Sequence, residues 1–223
     1  MVNSRQAVEF LLKSWPSIIN ECRATLGSEL CYQALIYHNL RQAGVPLTQI
    51  GMNVKMQIDE PVSKLFRELD LKKHEDYRGG FEPIPDVALF SPSVSADWRR
   101  RNNAVTLSSL LVAIEVKASE RANGRLRSGE VIGDIAKLAA HRDEAKHRGN
   151  DFYPVMMVID TAPLPKEQMT KYGFDQATQS AEELSVGFLY LSPEVEFDSV
   201  SRHLKGSHSG RLASLAASDS RGS

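Results

Sequence analysis

Cysteine and long apolar runs are both scarce in this sequence of 223 residues. The two cysteines, Cys22 and Cys31, lack the spacing of a metal site, and so few thiols in a chain of this size are typical of a reducing compartment. We interpret both as small buried hydrophobic residues. No apolar run approaches the length needed to cross a bilayer, and Glu9 and Lys13 interrupt the first apolar patch in a way that a signal peptide would not tolerate. We therefore expect a cytoplasmic protein without a membrane partner.

An excess of charge of either sign is missing as well, because the formal net charge is only -1. A nucleic acid would have to be attracted by a local basic patch rather than by the field of the whole molecule. The composition, 42% hydrophobic and 25% charged, is that of an ordinary globular protein. We expect one domain over residues 1–204, followed by a disordered tail over residues 205–223, which are rich in Ser, Gly and Ala.

Several common catalytic motifs are absent from the sequence. There is no G-x-x-x-x-G-K-[ST] loop, no G-x-S-x-G turn and no zinc-ligand pattern, so the chemistry of those classes is not predicted. His38, His74, His141 and His147 show no paired metal spacing on one helix, and we interpret them as surface or packing residues.

Hydrophobic periodicity predicts an α/β fold in the order helix, three strands, helix, strand, helix, strand. Pro16 is expected to break or restart the first helix, although an uninterrupted helix over about 16–43 is an alternative. A long polar insert, residues 91–109, is expected to be a functional or mobile loop. The predicted helices are 5–14, 29–43, 129–149 and 175–184, with a short one after residue 61; the predicted strands are 52–58, 83–90, 110–117, 153–160 and 186–192.

The stretch "LLVAIEVKAS", residues 110–119, places Glu115 and Lys117 inside an apolar run. Side chains two apart on a strand share a face, so the pair emerges together from a strand that is expected to be buried. A structural ion pair on a strand with one wet face is the alternative, but burying two ions costs several kcal/mol each. A divalent metal would explain the burial. Asp86 opens the preceding strand and is expected to lie beside Glu115, unless it is only a turn residue after Pro85.

The segment "IPD" at 84–86, followed by "IEVK" at 114–117, resembles the PD-(D/E)XK nuclease superfamily over roughly residues 28–192. The resemblance implies a restriction-endonuclease-like core, with a mixed central sheet flanked by helices in αβββαβ order. It also implies a Mg²⁺-dependent nuclease, acting on DNA, in which Mn²⁺ substitutes for Mg²⁺. One departure from the family pattern is the long interval between Asp86 and Glu115, which contains the polar insert.

The resemblance also implies roles for individual residues. Asp86 and Glu115 would ligate the metal, with the backbone carbonyl of Val116 as a third ligand. Lys117 would orient the attacking water and steady charge on the phosphorane. Glu29, on a preceding helix, would hold the metal shell through water or bind a second ion. Lys137, with Asp134 near it at helical spacing, would contact the phosphate or brace the acids.

Two basic segments flank the predicted site, one before its strand and one after it. We expect them to neutralise phosphates of a nucleic acid, with Trp98 stacking on a base or wedging a groove, although a solvated charge run is the alternative. The residues are Trp98, Arg99, Arg100, Arg101, Arg121, Arg125 and Arg127.

Three functional hypotheses remain at this point. The first is the nuclease, for which a homodimer would suit the cutting of both strands. The second is a catalytically inactive module with the same fold that binds nucleic acid or a protein partner. The third is an unrelated α/β domain in which the motif occurs by chance.

Overall fold

A computed structural model describes residues 1–75, 78–202 and 204, so the expected tail over residues 205–223 lies outside the described residues. The helices are α1 (Ser4–Ala24), α2 (Glu29–Gln42), α3 (Lys64–Leu71), α4 (Asn103–Ser109), α5 (Ser128–His147) and α6 (Lys171–Glu183). The strands are β1 (Ile50–Met52), β2 (Ile58–Asp59), β3 (Gly80–Phe81), β4 (Val87–Phe90), β5 (Leu110–Ala118), β6 (Tyr153–Ile159), β7 (Gly187–Leu191) and β8 (Glu196–Asp198).

A mixed six-stranded sheet forms the centre of the fold, in the order β1-β4-β5-β6-β7-β8. Strands β5, β6 and β7 are parallel, whereas β1, β4 and β8 add antiparallel pairs at the two sides. Parallel neighbours need crossover connections, and α5 and α6 supply them. Strands β2 and β3 form a separate two-stranded sheet. The predicted α/β class with a mixed sheet flanked by helices is confirmed.

The two faces of β5 belong to two different core clusters, as its near-continuous apolar sequence predicts. Val112 and Ile114 pack in one cluster with Leu11 of α1 and Ile36 of α2. Ala113, on the opposite face, packs in the other cluster with residues of α3, α5 and α6. Side chains of a strand alternate between faces, so Glu115 and Lys117 share the α5 side with Ala113.

The prediction that Pro16 interrupts the first helix is wrong, because α1 continues through it to Ala24. A proline inside a helix removes one backbone hydrogen bond, but Trp15, Ile18 and Ile19 are buried around this one, and that packing offsets the loss. The alternative of one helix over about 16–43 is also wrong. The chain is extended at Thr25, where α1 ends, and α2 begins at Glu29.

The predicted strand over 52–58 is replaced by two short strands. β1 ends at Met52 because Asn53 has a φ of 51°, a left-handed conformation that Asn tolerates better than most residues. The backbone N–H of Asn53 then donates to the carbonyl of Asp86 at 3.1 Å. The polar insert over 91–109 is also not all loop, since α4 forms at its end, and β8 is an additional strand.

Candidate active site

The antiparallel pairing of β4 with β5 brings Asp86 and Glu115 together. Val87 lies opposite Ile114, so Asp86, which precedes Val87, and Glu115, which follows Ile114, adjoin the same pair of the ladder. The two carboxylates are close enough for the charge of Asp86 to raise the pKa of Glu115. The polar insert therefore extends the connection between the strands without changing which residues face each other.

Two hydrogen bonds fix the Asp86 carboxylate. Gln33 of α2 donates its side-chain N–H to Oδ1 at 2.7 Å, and the backbone N–H of Val116 donates to Oδ2 at 2.7 Å. The pKa of Asp86 is raised to about 6, mainly by burial and in part by the carboxylates of Glu29 and Asp134. The hydrogen bond from Val116 opposes this rise. The contact found for Val116 is through its N–H; the metal role of its carbonyl stays a prediction.

Glu115 is the more strongly perturbed acid. Burial raises its pKa from 4.5 to about 8, and the carboxylates of Asp86 and Asp134 contribute to the rise, while the ammonium groups of Lys117 and Lys137 oppose it. Among the described residues no hydrogen bond reaches the Glu115 carboxylate. Its oxygens are thus available to a ligand that carries positive charge.

Lys117 lies between two carboxylates. Its Nζ is 3.1 Å from Oδ2 of Asp134 on α5 and 3.4 Å from Oε2 of Glu29 on α2. Burial lowers the pKa of Lys117, but these two acids outweigh it, so the pKa lies above its ordinary value and the group stays charged. Lys137 approaches the same cluster through Asp134, with its Nζ 2.7 Å from Oδ1.

The side chains of this cluster have the donor chemistry of a magnesium site. Mg²⁺ prefers oxygen ligands, keeps several waters and needs only one or two carboxylates from the protein. Asp86 and Glu115 supply two neighbouring carboxylates whose mutual repulsion a cation would relieve. In the described part of the chain, no group of three or more His, Cys, Asp or Glu residues is arranged to hold a metal. A two-carboxylate site is the arrangement that these residues fit.

Comparisons with protein-family models, with curated proteins and with solved structures found no match to this chain. Within the described ranges, no helix is both long and apolar enough to cross a membrane.

The arginines before β5 lie on a segment held by surface ion pairs. Arg99 and Arg101 pair with Asp97, at 2.7 and 3.6 Å, and Arg100 pairs with Glu82 at 3.0 Å. All three arginine side chains are more than 60% exposed. Exposed pairs of this kind contribute little stability, and contacts of these guanidinium groups with phosphates stay a prediction.

The basic residues after β5 lie on the connection between β5 and α5. Arg121, Arg125 and Arg127 are exposed. Arg121 and Arg125 line a small cleft together with Glu29, and Arg121 is 3.9 Å from Glu130. Contact of either basic segment with a nucleic acid stays a prediction.

Trp98 is positioned differently from the arginines around it. Its ring packs against Phe90, with the centroids 4.8 Å apart, and against the backbone of Gly51. It is half-buried, so part of its role is to anchor the insert on the sheet. Stacking of Trp98 on a base stays a prediction.

Sequence reasoning missed Gln33 as a member of the site and assigned Asp134 a lesser part. Gln33 follows Glu29 by four residues on one helix face, which was the available signal. Asp134 was expected beside Lys137, whereas its second oxygen also holds Lys117. His141, interpreted as a surface or packing residue, is buried in α5 beside the cluster.

Glu115→Gln is expected to raise the free energy of unfolding of the metal-free protein near pH 8.5. The pKa of Glu115 in the folded protein, about 8, exceeds its ordinary value of 4.5. The stability that the folded protein has below pH 4.5 is therefore lost as the pH rises through 8. Each pKa unit corresponds to about 1.4 kcal/mol, and we expect a gain of about 2 kcal/mol or more. Glutamine has no proton to lose, so the difference from the wild type should shrink near pH 5.

Urea denaturation in EDTA at the two pH values measures this effect. Glu9→Gln, at a half-exposed position on α1, is the control and should match the wild type. A Glu115→Gln variant no more stable than the wild type near pH 8.5 would contradict the expectation.

Proposed function

We propose that this protein is a Mg²⁺-dependent nuclease of the restriction-endonuclease-like fold that hydrolyses phosphodiester bonds in DNA. The observation that carries the proposal is the pair of neighbouring carboxylates, the buried Asp86 and the half-buried Glu115, beside the ammonium group of Lys117. Burying like charges together is unfavourable unless a ligand compensates, and a metal with a phosphate is such a ligand.

The residues of the site have distinct roles in this proposal. Asp86 and Glu115 would hold Mg²⁺ or Mn²⁺, and Gln33 keeps Asp86 oriented. The metal, when bound, lowers the pKa of water and neutralises phosphate oxygens. Asp134 and Glu29 position the Lys117 ammonium, which orients the attacking water and stabilises charge on the phosphate. A bond forms between the water oxygen and phosphorus as the bond from phosphorus to one sugar oxygen breaks. The attacking water gives up one proton to solvent, and the departing sugar oxygen takes up one proton from solvent.

A basic cavity supports nucleic acid as the substrate. Arg100, Arg101 and Arg148 line this cavity of about 510 Å³ together with one acid, Asp59. Asn150, also in its lining, donates to the carbonyl of Leu110 at 3.1 Å, so the cavity lies at the start of β5. Glu115 is five residues further along, roughly 17 Å at the rise of a strand. Arginine clusters at this distance suit neighbouring phosphates of a chain whose scissile phosphate lies at the acids.

The same basic cavity favours a second candidate function, a module that binds nucleic acid without cutting it, because the arginines lie apart from the acids. This candidate predicts DNA binding by the wild type, no hydrolysis, and the same affinity after Lys117→Ala.

The test is to incubate the wild type with plasmid, linear duplex and single-stranded DNA in Mg²⁺, in Mn²⁺ and in EDTA. We expect hydrolysis only with a metal, none by Glu115→Ala, and normal activity from the control Glu9→Ala on the surface of α1. If the wild type cuts neither DNA nor RNA in either metal, or cuts no faster than Glu115→Ala, the nuclease proposal is refuted.

A further inference from the structure

A cavity of about 220 Å³ opens directly beside the acids. Glu115, Asp134 and Lys137 form its polar side. The rest of the lining is largely apolar and comprises Phe66, Phe81, Pro83, Ile84, Pro85 and Leu138, with Glu82 and His141. We call this space the base cavity. A metal and a phosphate account for the polar side, but they give no reason for an apolar wall.

Aromatic rings form part of the apolar wall. Phe66 and Phe81 are stacked, with centroids 4.1 Å apart and planes 25° from parallel. Phe66 is fully buried, whereas Phe81 is only partly buried, and Ile84 is 39% exposed. The Nζ of Lys73 lies over the Phe81 ring, 5.5 Å from its centroid, so the wall offers a partly covered aromatic ring together with an exposed aliphatic side chain.

His141 adds a polar group to this apolar lining. The residue is only 2% exposed, and its Nε2 has no hydrogen-bond partner in the described part of the protein. Burial lowers the pKa of His141 to about 3, so the imidazole is neutral near pH 7. A buried polar atom without a partner is unfavourable, and a ligand with a polar edge would supply one.

A planar ring with apolar faces and polar edges matches this lining, and in a nucleic acid that ring is the base. The cavity is smaller than sites for drug-sized ligands and has room for one ring system. A base inside an intact duplex is stacked and paired and does not reach such a cavity, whereas an unpaired or extruded base does. Aromatic walls bind bases of any sequence, since every base has a π-face.

We propose, on the basis of the nuclease function above, that the base cavity receives one unpaired nucleobase next to the scissile phosphate. The substrate class is then single-stranded or locally unpaired DNA, and intact duplex is cut more slowly. The base stacks on the wall formed by Phe81 and Ile84 while its phosphate lies at Asp86 and Glu115.

The first test measures binding without hydrolysis. Lys117 lies outside the cavity lining. The Lys117→Met variant is titrated, in the presence of Mg²⁺, with an oligonucleotide that carries 2-aminopurine and is either single-stranded or within a hairpin duplex. We expect the fluorescence of the single-stranded probe to change on binding and that of the duplex probe to stay constant. No change for the single strand at saturating protein overturns the base cavity.

The second test uses hydrolysis by the wild type and cavity variants. Phe81→Ala is expected to lower the ratio of single-strand to duplex cutting by about 5- to 100-fold, because the stacking interaction is lost. Ile84→Ala is expected to lower the same ratio by a smaller factor. Phe197→Ala, another partly buried phenylalanine packed on the same core, is the matched control and should keep the ratio. The Ile84 change tests the cavity even if Phe81→Ala fails to fold.

The two proposals fail in different ways. A ratio that stays constant in both cavity variants, or faster cutting of duplex than of single strand by the wild type, overturns the base cavity and leaves the nuclease intact. A fluorescence change without any hydrolysis by the wild type refutes the nuclease and supports the cavity as a binding site for a base.

Discussion

Lys117→Met is expected to reduce DNA hydrolysis by at least about 10³-fold, because in the proposed mechanism its ammonium group acts on both the attacking water and the phosphate. Methionine nearly preserves the length of the side chain, so the loss of charge is the main change. Asp134 and Glu29 lose their shared cation, but Glu29 is partly exposed and the buried Asp134 keeps its ion pair with Lys137. Initial rates at saturating DNA and Mg²⁺ measure the effect, with affinity determined separately.

Lys171→Met is the matched control for this prediction. Lys171 is a strongly exposed lysine of α6 that pairs with Asp175, and its replacement should leave the rate unchanged. Asp134→Asn, which keeps the ammonium but removes one of its two anchors, should be less damaging, by about 10- to 100-fold. A Lys117→Met variant that cuts within about tenfold of the wild type would mean that the lysine only completes an ion pair.

The part of the site that follows from local sequence was predictable. Alternation along β5 places Glu115 and Lys117 on one face, and the adjacency of sequential strands places Asp86 beside them. The contacts of Gln33 and Asp134 were not predictable in the same way. They depend on where α2 and α5 lie against the edge and face of the sheet, and periodicity gives only the inward face of a helix.

The errors in the fold have the same physical origin. A proline signals a helix end locally, yet burial of Trp15 and Ile18 around Pro16 stabilises a continuous α1. Alternating residues after Met52 signal a strand, yet the left-handed turn at Asn53 ends it and sends the chain toward β2. In both places packing with residues far along the chain outweighs the local preference.

The base cavity depends on the segment that contains α3, β2 and β3. Phe66 of α3 and Phe81 of β3 supply its aromatic wall, and both belong to the unit that contains the two-stranded sheet. Glu144 of α5 accepts a hydrogen bond from the backbone N–H of Ser63 at 2.7 Å, at the start of α3. Arg148 donates to the carbonyl of Asp59 at 2.7 Å and so holds β2. The wall is therefore positioned by α5, the helix that also supplies Asp134.

Arg148→Ala is expected to destabilise the protein by about 3–5 kcal/mol, because it leaves a buried carboxylate without its charge partner. Glu144 is fully buried, and Arg148 Nη1 lies 2.6 Å from its Oε2. Urea denaturation near pH 7 measures the loss, and Lys146→Ala, which removes a half-exposed pair from the same helix, should change stability by less than about 1 kcal/mol. Equal losses in the two variants would show that the buried pair does not hold the segment.

Replacing both partners, as in Glu144→Leu with Arg148→Met, should recover most of the stability, since no ion is then left unpaired.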